Sequence, residues 1–203
     1  MQKNSFNKFY EKTSKTLNKS IEKFNNSLID DNEIFSYNIN LFKNLNRDGK
    51  LIRGTLVKLG YNLLKDDIEY SNELALAYEI FQTSILIHDD IIDKDIKRRG
   101  KTTVHQANYE KYQSFSKNEN ELKHLSNSIG ICIGDYGLYL ASKTITDNYN
   151  DNPYFGKLIT VFNDTVLKTI KGEVLDVVLP FESKNMKIDT NSLEKTIMNI
   201  YTA

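Results

Sequence analysis

A chain of 203 residues and 23.5 kDa has the mass of one ordinary domain, and by size scaling it buries roughly 70% of its unfolded surface. Hydrophobic residues at 39% and charged residues at 27% exclude a disordered or fibrous chain, and 27 basic against 27 acidic side chains leave no net field to attract nucleic acid or an anionic membrane. Cys132 is the sole cysteine, so no internal disulfide can form and a reducing, cytoplasmic setting is expected.

The whole chain holds only two prolines and nine glycines, which leaves long stretches free of helix breakers. The spacing predicts an amphipathic helix over 5–28, with Phe6, Phe9, Tyr10, Leu17, Ile21 and Phe24 as its apolar stripe. A capping run from Asp30 to Glu33 then opens a shorter helix that stops near Gly49. Leu51, Ile52, Leu56, Val57, Leu59, Leu63 and Leu64 mark the next helix. From Ser71 to about Asp93 the apolar pattern is too broad for a surface helix and predicts burial on several sides.

Lys94 to Lys101 reads as a charged connector, and 108–121 as a loop or weak helix. From Leu122 to Ile145, Gly130, Gly134, Gly137 and Ala141 leave one helix face nearly bare, open to close packing by a neighbour or a ligand. Pro153 suits the first turn of a helix that Pro180 is expected to end, and a last helix starts at Asp189 or Asn191. No period-2 strand of useful length and no run of about eighteen apolar residues occurs, so the prediction is a single all-α domain over 1–203 with no membrane span.

Asp89, Asp90 and Asp93 carry the strongest chemical signal. Positions 89 and 93 lie one turn apart on a helix, at the carboxyl end where the macrodipole disfavours negative charge and like charges raise one another's pKa. Without a compensating cation the arrangement is unfavourable. A solvated acidic end softened by Lys94 and Lys97 is the plain explanation; ligation of Mg²⁺ that also holds substrate phosphates is the sharper one. Arg98 and Arg99 follow at once in a chain with only four arginines, and guanidinium matches phosphate oxygens in a forked way that ammonium does not. Lys50 and Arg53 open an earlier helix whose N–H groups would also face an anion. The combination predicts a site for two phosphorylated substrates above an apolar pocket.

Several segments agree in order with one family. Gly49-Lys50-Leu51-Ile52-Arg53, the run Glu79 to Asp93, Arg98-Arg99-Gly100-Lys101-Thr102-Thr103-Val104-His105, Gly134-Asp135-Tyr136 and Gly172-Glu173-Val174-Leu175-Asp176 resemble the trans-prenyl diphosphate synthases, or polyprenyl synthetases. The resemblance implies a helical bundle of the isoprenoid synthase type and a Mg²⁺-dependent condensation of isopentenyl diphosphate with an allylic diphosphate. It places Mg²⁺ on Asp89, Asp90 and Asp93, the allylic diphosphate on Arg98 and Thr202, and isopentenyl diphosphate on Lys50, Arg53, Gln82 and Arg99. A homodimer is expected.

Phe81, Ser84 and Ile85 fall where family members limit product length. Ser84 and Ile85 are not aromatic, which points to products of about twenty carbons, with Phe81→Ala expected to lengthen them. Leu51, Gly54 and Tyr201 depart from the family pattern. No second aspartate-rich motif occurs before Ala203, so the expectation is a chain lacking its carboxyl-terminal helices, with little or no turnover by itself. A class I terpene cyclase and a non-catalytic synthase-like subunit are the alternatives. The first needs only one diphosphate site, against which Lys50, Arg53 and Arg99 argue.

Overall fold

The computed structural model describes residues 2–65, 68–185, 194, 195, 197 and 198. It divides into two compact units, Met1–Asn148 and Tyr149–Ala203. Among the described residues the fold is all-α apart from one short hairpin, and no helix is long and apolar enough to cross a membrane.

In the first unit, α1 (Gln2–Ser27) buries Thr13, Leu17, Ile21 and Asn25, a face repeating every fourth residue. The apolar stripe predicted there narrows towards the amino end, where Phe6 is exposed. Helix α2 (Glu33–Arg47) begins at the N-cap Asn32, whose Oδ1 accepts from Ile34 N and Phe35 N at 3.0 Å each. Glu33 in its first turn and Arg47 in its last suit the helix dipole.

A set of buried amides knits these helices together. Asn46 Nδ2 donates to Asn25 Oδ1 at 3.1 Å, Thr83 Oγ1 donates to Asn46 Oδ1 at 2.9 Å, and Asn108 Nδ2 donates to Asn38 Oδ1 at 2.7 Å. Each bond joins different helices. Because a polar group buried without a partner costs its full desolvation, these contacts specify one arrangement more sharply than greasy packing would.

Helix α3 (Ile52–Asn62) reverses the expected amphipathic sense. Its buried residues are Gly54, Thr55 and Lys58, while Ile52, Leu56 and, just beyond the helix, Leu63 and Leu64 are exposed. Close approach explains the inversion. A Cβ on Gly54 would stand 2.9 Å from both the Ala75 carbonyl oxygen and Leu17 Cδ1, so only a bare backbone fits against α1 and α4. A 3-10 turn, Ile68–Ser71, leads into α4 (Asn72–Ile92), which is buried on several sides as its pattern predicts.

Helix α4 closes with hydrogen bonds from Lys94 N to Ile91 O (3.3 Å) and Asp95 N to Asp90 O (2.8 Å), Lys94 standing in the left-handed region at φ 60. This Schellman arrangement turns the chain back on itself, with lysine at the position glycine usually fills. The predicted charged connector is a hairpin, β1 (Lys97–Arg98) antiparallel to β2 (Lys101–Thr102). Arg99 at φ 52 and Gly100 at φ 78 make its tip, the positive pair a two-residue hairpin loop of type I′ requires. The 108–121 segment, predicted as loop or weak helix, contains the end of α5 (Val104–Tyr112) and the start of α6 (Glu119–Tyr149).

The bare face of α6 takes protein neighbours. A Cβ on Gly130 would meet Ile91 at 2.7 Å, one on Gly134 would meet the His88 ring at 2.3 Å, and one on Gly137 would meet Phe42 Cε2 at 2.6 Å. Ser84 Oγ donates to Gly134 O at 2.5 Å across the same seam. Gly137→Ala is therefore expected to destabilise the chain by about 1–3 kcal/mol through overpacking, read as a lowered urea midpoint with unchanged slope. Gly156→Ala, with nothing within 4 Å of its added methyl, is the control expected to show no such loss.

In the second unit, α7 (Phe155–Asn185) starts two residues after Pro153 and continues through Pro180. The expected stop at Pro180 is thus overturned. Proline removes one donor and crowds one carbonyl, a local cost of about 3 kcal/mol that the rest of a 31-residue helix can absorb. The last helix predicted from Asp189 or Asn191 and the position of Thr202 fall largely or wholly outside the described residues.

Candidate active site

Helix α4 delivers the aspartates, and the turn after it delivers their partner. Arg98 Nη2 donates to Asp89 Oδ2 at 3.0 Å, its Nε donates to Asp90 Oδ1, and Asp95 Oδ2 lies 3.6 Å from Nη2. The compensating cation that the acidic helix end demands is present in the chain itself. Asp93 is exposed at the C-cap, close enough to Asp89 to act on its titration.

Burial dominates the electrostatics here. Asp90 is 1% exposed, and desolvation pushes its carboxyl up to about 6; the Arg98 hydrogen bond and charge oppose the rise, and Asp89 and Asp95 add to it. Asp89 is also raised, first by burial and then by Asp93, with Arg98 again opposing. Asp90 Oδ2 is buried with no hydrogen-bond partner, so the cluster keeps an unused acceptor. Among the described residues no three His, Cys, Asp or Glu side chains form a ready cage for a metal ion.

A cavity of about 460 Å³ opens beside this cluster. It gathers Lys50, Arg53, Gln82 and Arg99, the four residues predicted as one anion site, with Arg98 at its border. Five cationic side chains against the carboxylates of Glu79 and Asp95 make its wall strongly electropositive. Its floor is the turn before α3. Leu51 there is left-handed at φ 54 and offers no side-chain cap, and Tyr10 Oη from α1 donates to Lys50 O at 2.6 Å to hold the turn. Strain of this kind in a buried leucine is retained where surrounding contacts over-determine the backbone.

On the other side of Arg98, a cavity of about 320 Å³ is lined by Asp90, Arg98, Asp48 and Lys101. Lys101 pairs with Asp48 at 2.5 Å and ties the hairpin to the end of α2. Thr103 Oγ1 donates to Asp95 O at 2.8 Å and fixes the other end of the connector. The His88 ring packs against Gly134 and lies 3.3 Å from Asp135, so it braces the α4–α6 seam.

Phe81 and Ser84 are 2% and 0% exposed, held in the seam between α4 and its neighbours, and Ile85 is partly exposed. None of the three lines the cationic cavity, which α4 reaches through Glu79, Gln82, Thr83 and Leu86. A further cavity, about 600 Å³, lies towards the opposite end of α4 among Phe24, Leu76, Tyr136 and Leu140.

Glu79 is the residue that sequence reasoning left without a role. It is 4% exposed, and its Oε1 accepts from Gly54 N at 2.6 Å. One signal marks it: a lone carboxylate inside the apolar run of α4, where burial without a purpose would be costly.

Comparison with known proteins supplies relatives of this chain. A short chain isoprenyl diphosphate synthase of Methanocaldococcus jannaschii is 31% identical over 129 residues, covering 64% of this chain and 34% of that protein. The mitochondrial farnesyl pyrophosphate synthase 1 of Arabidopsis thaliana is 25% identical over 168 residues, covering 77% and 39%. The chain thus spans only a third to two fifths of the length of these relatives.

Among solved structures, the geranylgeranyl pyrophosphate synthase of Corynebacterium glutamicum, complexed with isoprenyl diphosphate and magnesium, aligns with TM-score 0.67 at 24% identity over 87% of this chain and 51% of that one. A geranyltransferase of Legionella pneumophila aligns with TM-score 0.73 at 19% identity over 98% and 64%. These likenesses establish the fold. The family model described as polyprenyl synthetase matches residues 36–202, more than three quarters of the sequence, and the chain belongs to the polyprenyl synthetase family.

Proposed function

We propose that this protein is a prenyltransferase of the isoprenyl diphosphate synthase type, condensing isopentenyl diphosphate with an allylic prenyl diphosphate. One observation carries the proposal: the aspartate cluster and a separate cationic cavity share Arg98 and Asp95 as a common wall, so two diphosphates would sit side by side. A terpene cyclase needs only one such site.

The donor chemistry fits Mg²⁺. Asp89, Asp90 and Asp93 offer only hard oxygens, Asp90 Oδ2 has no partner, and magnesium is held by one or two carboxylates plus substrate phosphates more often than by an all-protein cage. Bound there, the metal would draw charge onto the departing diphosphate and ease ionisation of the allylic C–O bond. Arg98 provides forked donors to the allylic diphosphate and exchanges its carboxylate partners for phosphate oxygens. Lys50, Arg53, Gln82 and Arg99 hold the isopentenyl diphosphate so that its double bond attacks the allylic carbon, the leaving diphosphate keeps the bonding electrons, and a proton leaves the adduct.

Product length of about twenty carbons is part of the proposal, supported by the absence of an aromatic side chain at Ser84 and Ile85. Assembly as a homodimer in the cytoplasm completes it, the lone Cys132 suiting a reducing compartment.

Calorimetric titration of the 203-residue chain with geranyl diphosphate tests the core of this assignment. Added Mg²⁺ is expected to tighten binding, and Asp89→Asn is expected to remove at least about tenfold of that gain. Magnesium-promoted binding that survives Asp89→Asn unchanged would overturn the assignment.

A further inference from the structure

Glu79 presents a physical puzzle. A carboxylate on the wall of an anion pocket repels the ligand the pocket is built for, yet this one is 4% exposed and borders the same cavity as Lys50, Arg53, Gln82 and Arg99. Burial costs it further, and that cost must be offset locally.

The offset comes from α3. That helix has no side-chain cap of its own, and Gly54, its third residue, donates its N–H to Glu79 Oε1 at 2.6 Å. A carboxylate here meets both an otherwise unsatisfied donor and the positive end of the helix dipole. The fit is close: a Cβ on Gly54 would stand 3.1 Å from Glu79 Cγ, and one on Gly49 would stand 3.5 Å from Glu79 Oε2. The charges of Arg53 and Arg99 also favour the ionised form, against burial, which raises its pKa. Arg53 belongs to the helix being capped and Arg99 to the left-handed hairpin tip, and both line the cavity that Glu79 borders.

We infer that Glu79 is a positioning residue for the second diphosphate: it docks the first turn of α3 onto α4 and orients Arg53 and Arg99 without touching the ligand. The inference rests on the proposed assignment of this cavity to isopentenyl diphosphate. It makes a prediction opposite in sign to simple electrostatics. Removing a negative charge from an anion site should tighten binding; removing a charge that arranges two guanidinium groups should weaken it.

Titration of the 203-residue chain with isopentenyl diphosphate at neutral pH, with Arg53→Ala as the probe of the cavity itself, separates the two ideas. Glu79→Gln keeps a carbonyl acceptor for Gly54 N and discards only the charge. It is expected to weaken binding about tenfold while leaving Mg²⁺-dependent geranyl diphosphate binding unchanged. Glu79→Ala is expected to weaken isopentenyl diphosphate binding further and to lower the melting temperature. If Arg53→Ala weakens binding but Glu79→Gln leaves it equal or tighter, the positioning role is wrong and the cavity assignment stands. Should the wild-type chain fail to bind isopentenyl diphosphate, or Arg53→Ala leave its affinity unchanged, the cavity assignment fails and the inference falls with it. A Glu79→Gln chain that melts lower yet binds normally when folded shows a purely structural cap and overturns the inference too.

Discussion

Replacing Arg98 by alanine is expected to destabilise the metal-free chain by about 3 kcal/mol at neutral pH, because it leaves the buried Asp90 and the half-buried Asp89 without their partner. The loss should depend on pH in a definite direction. Asp90 has a folded pKa of about 6 against an ordinary value of 3.8, so the folded chain binds this proton more readily than the unfolded one. Stability attributable to Asp90 therefore rises as pH falls through about 6 towards 3.8, and its ionisation cost is fully felt above 6. Without Arg98 the folded pKa climbs further, since the hydrogen bond and charge that held it down are gone. Urea titrations should show a large deficit for Arg98→Ala at about pH 8 and a much smaller one at about pH 5. Equal deficits at both values would show that Arg98 acts through packing of its stem and not through the carboxylates.

Phe81→Ala is the second large effect, a loss of about 3–5 kcal/mol. At 2% exposure Phe81 sits among the most enclosed side chains of the first unit, beside Ile80, and truncation leaves a cavity in a close-packed interior. Ile85 is partly exposed, and Ile85→Ala should cost about 1–2 kcal/mol. Denaturation measured on both variants orders them. A Phe81→Ala chain as stable as wild type would mean that this ring faces open space.

The aspartate cluster shows how far local pattern carries and where it stops. Spacing along one helix places Asp89 and Asp93 one turn apart, and composition alone singles out Arg98 in a lysine-rich chain. That Arg98 bends back to satisfy Asp89 and Asp90 depends on Lys94 adopting a left-handed conformation, which a sequence does not announce at a non-glycine residue. Likewise Lys50, Arg53, Gln82 and Arg99 come from three segments, and their meeting in one cavity requires α3, α4 and the hairpin to be packed.

Helix α3 and Glu79 were the least legible features. Apolar periodicity assigns α3 its helical form correctly but the wrong face to the interior, because Gly54 allows a backbone approach that outweighs the burial of Ile52 and Leu56. Glu79 caps a helix 25 residues away, a contact with no local signature. The glycine stripe of α6 does not name its neighbour, and only packing shows His88, Ser84 and Phe42 filling it. Amino-acid order settled the all-α class and the identity of the charged groups, since helical periodicity and side-chain chemistry act within four or five residues of chain. Tertiary structure decided which face is buried, which cation answers which carboxylate, and whether a bare helix meets protein or ligand, because those outcomes depend on partners brought together from tens of residues apart.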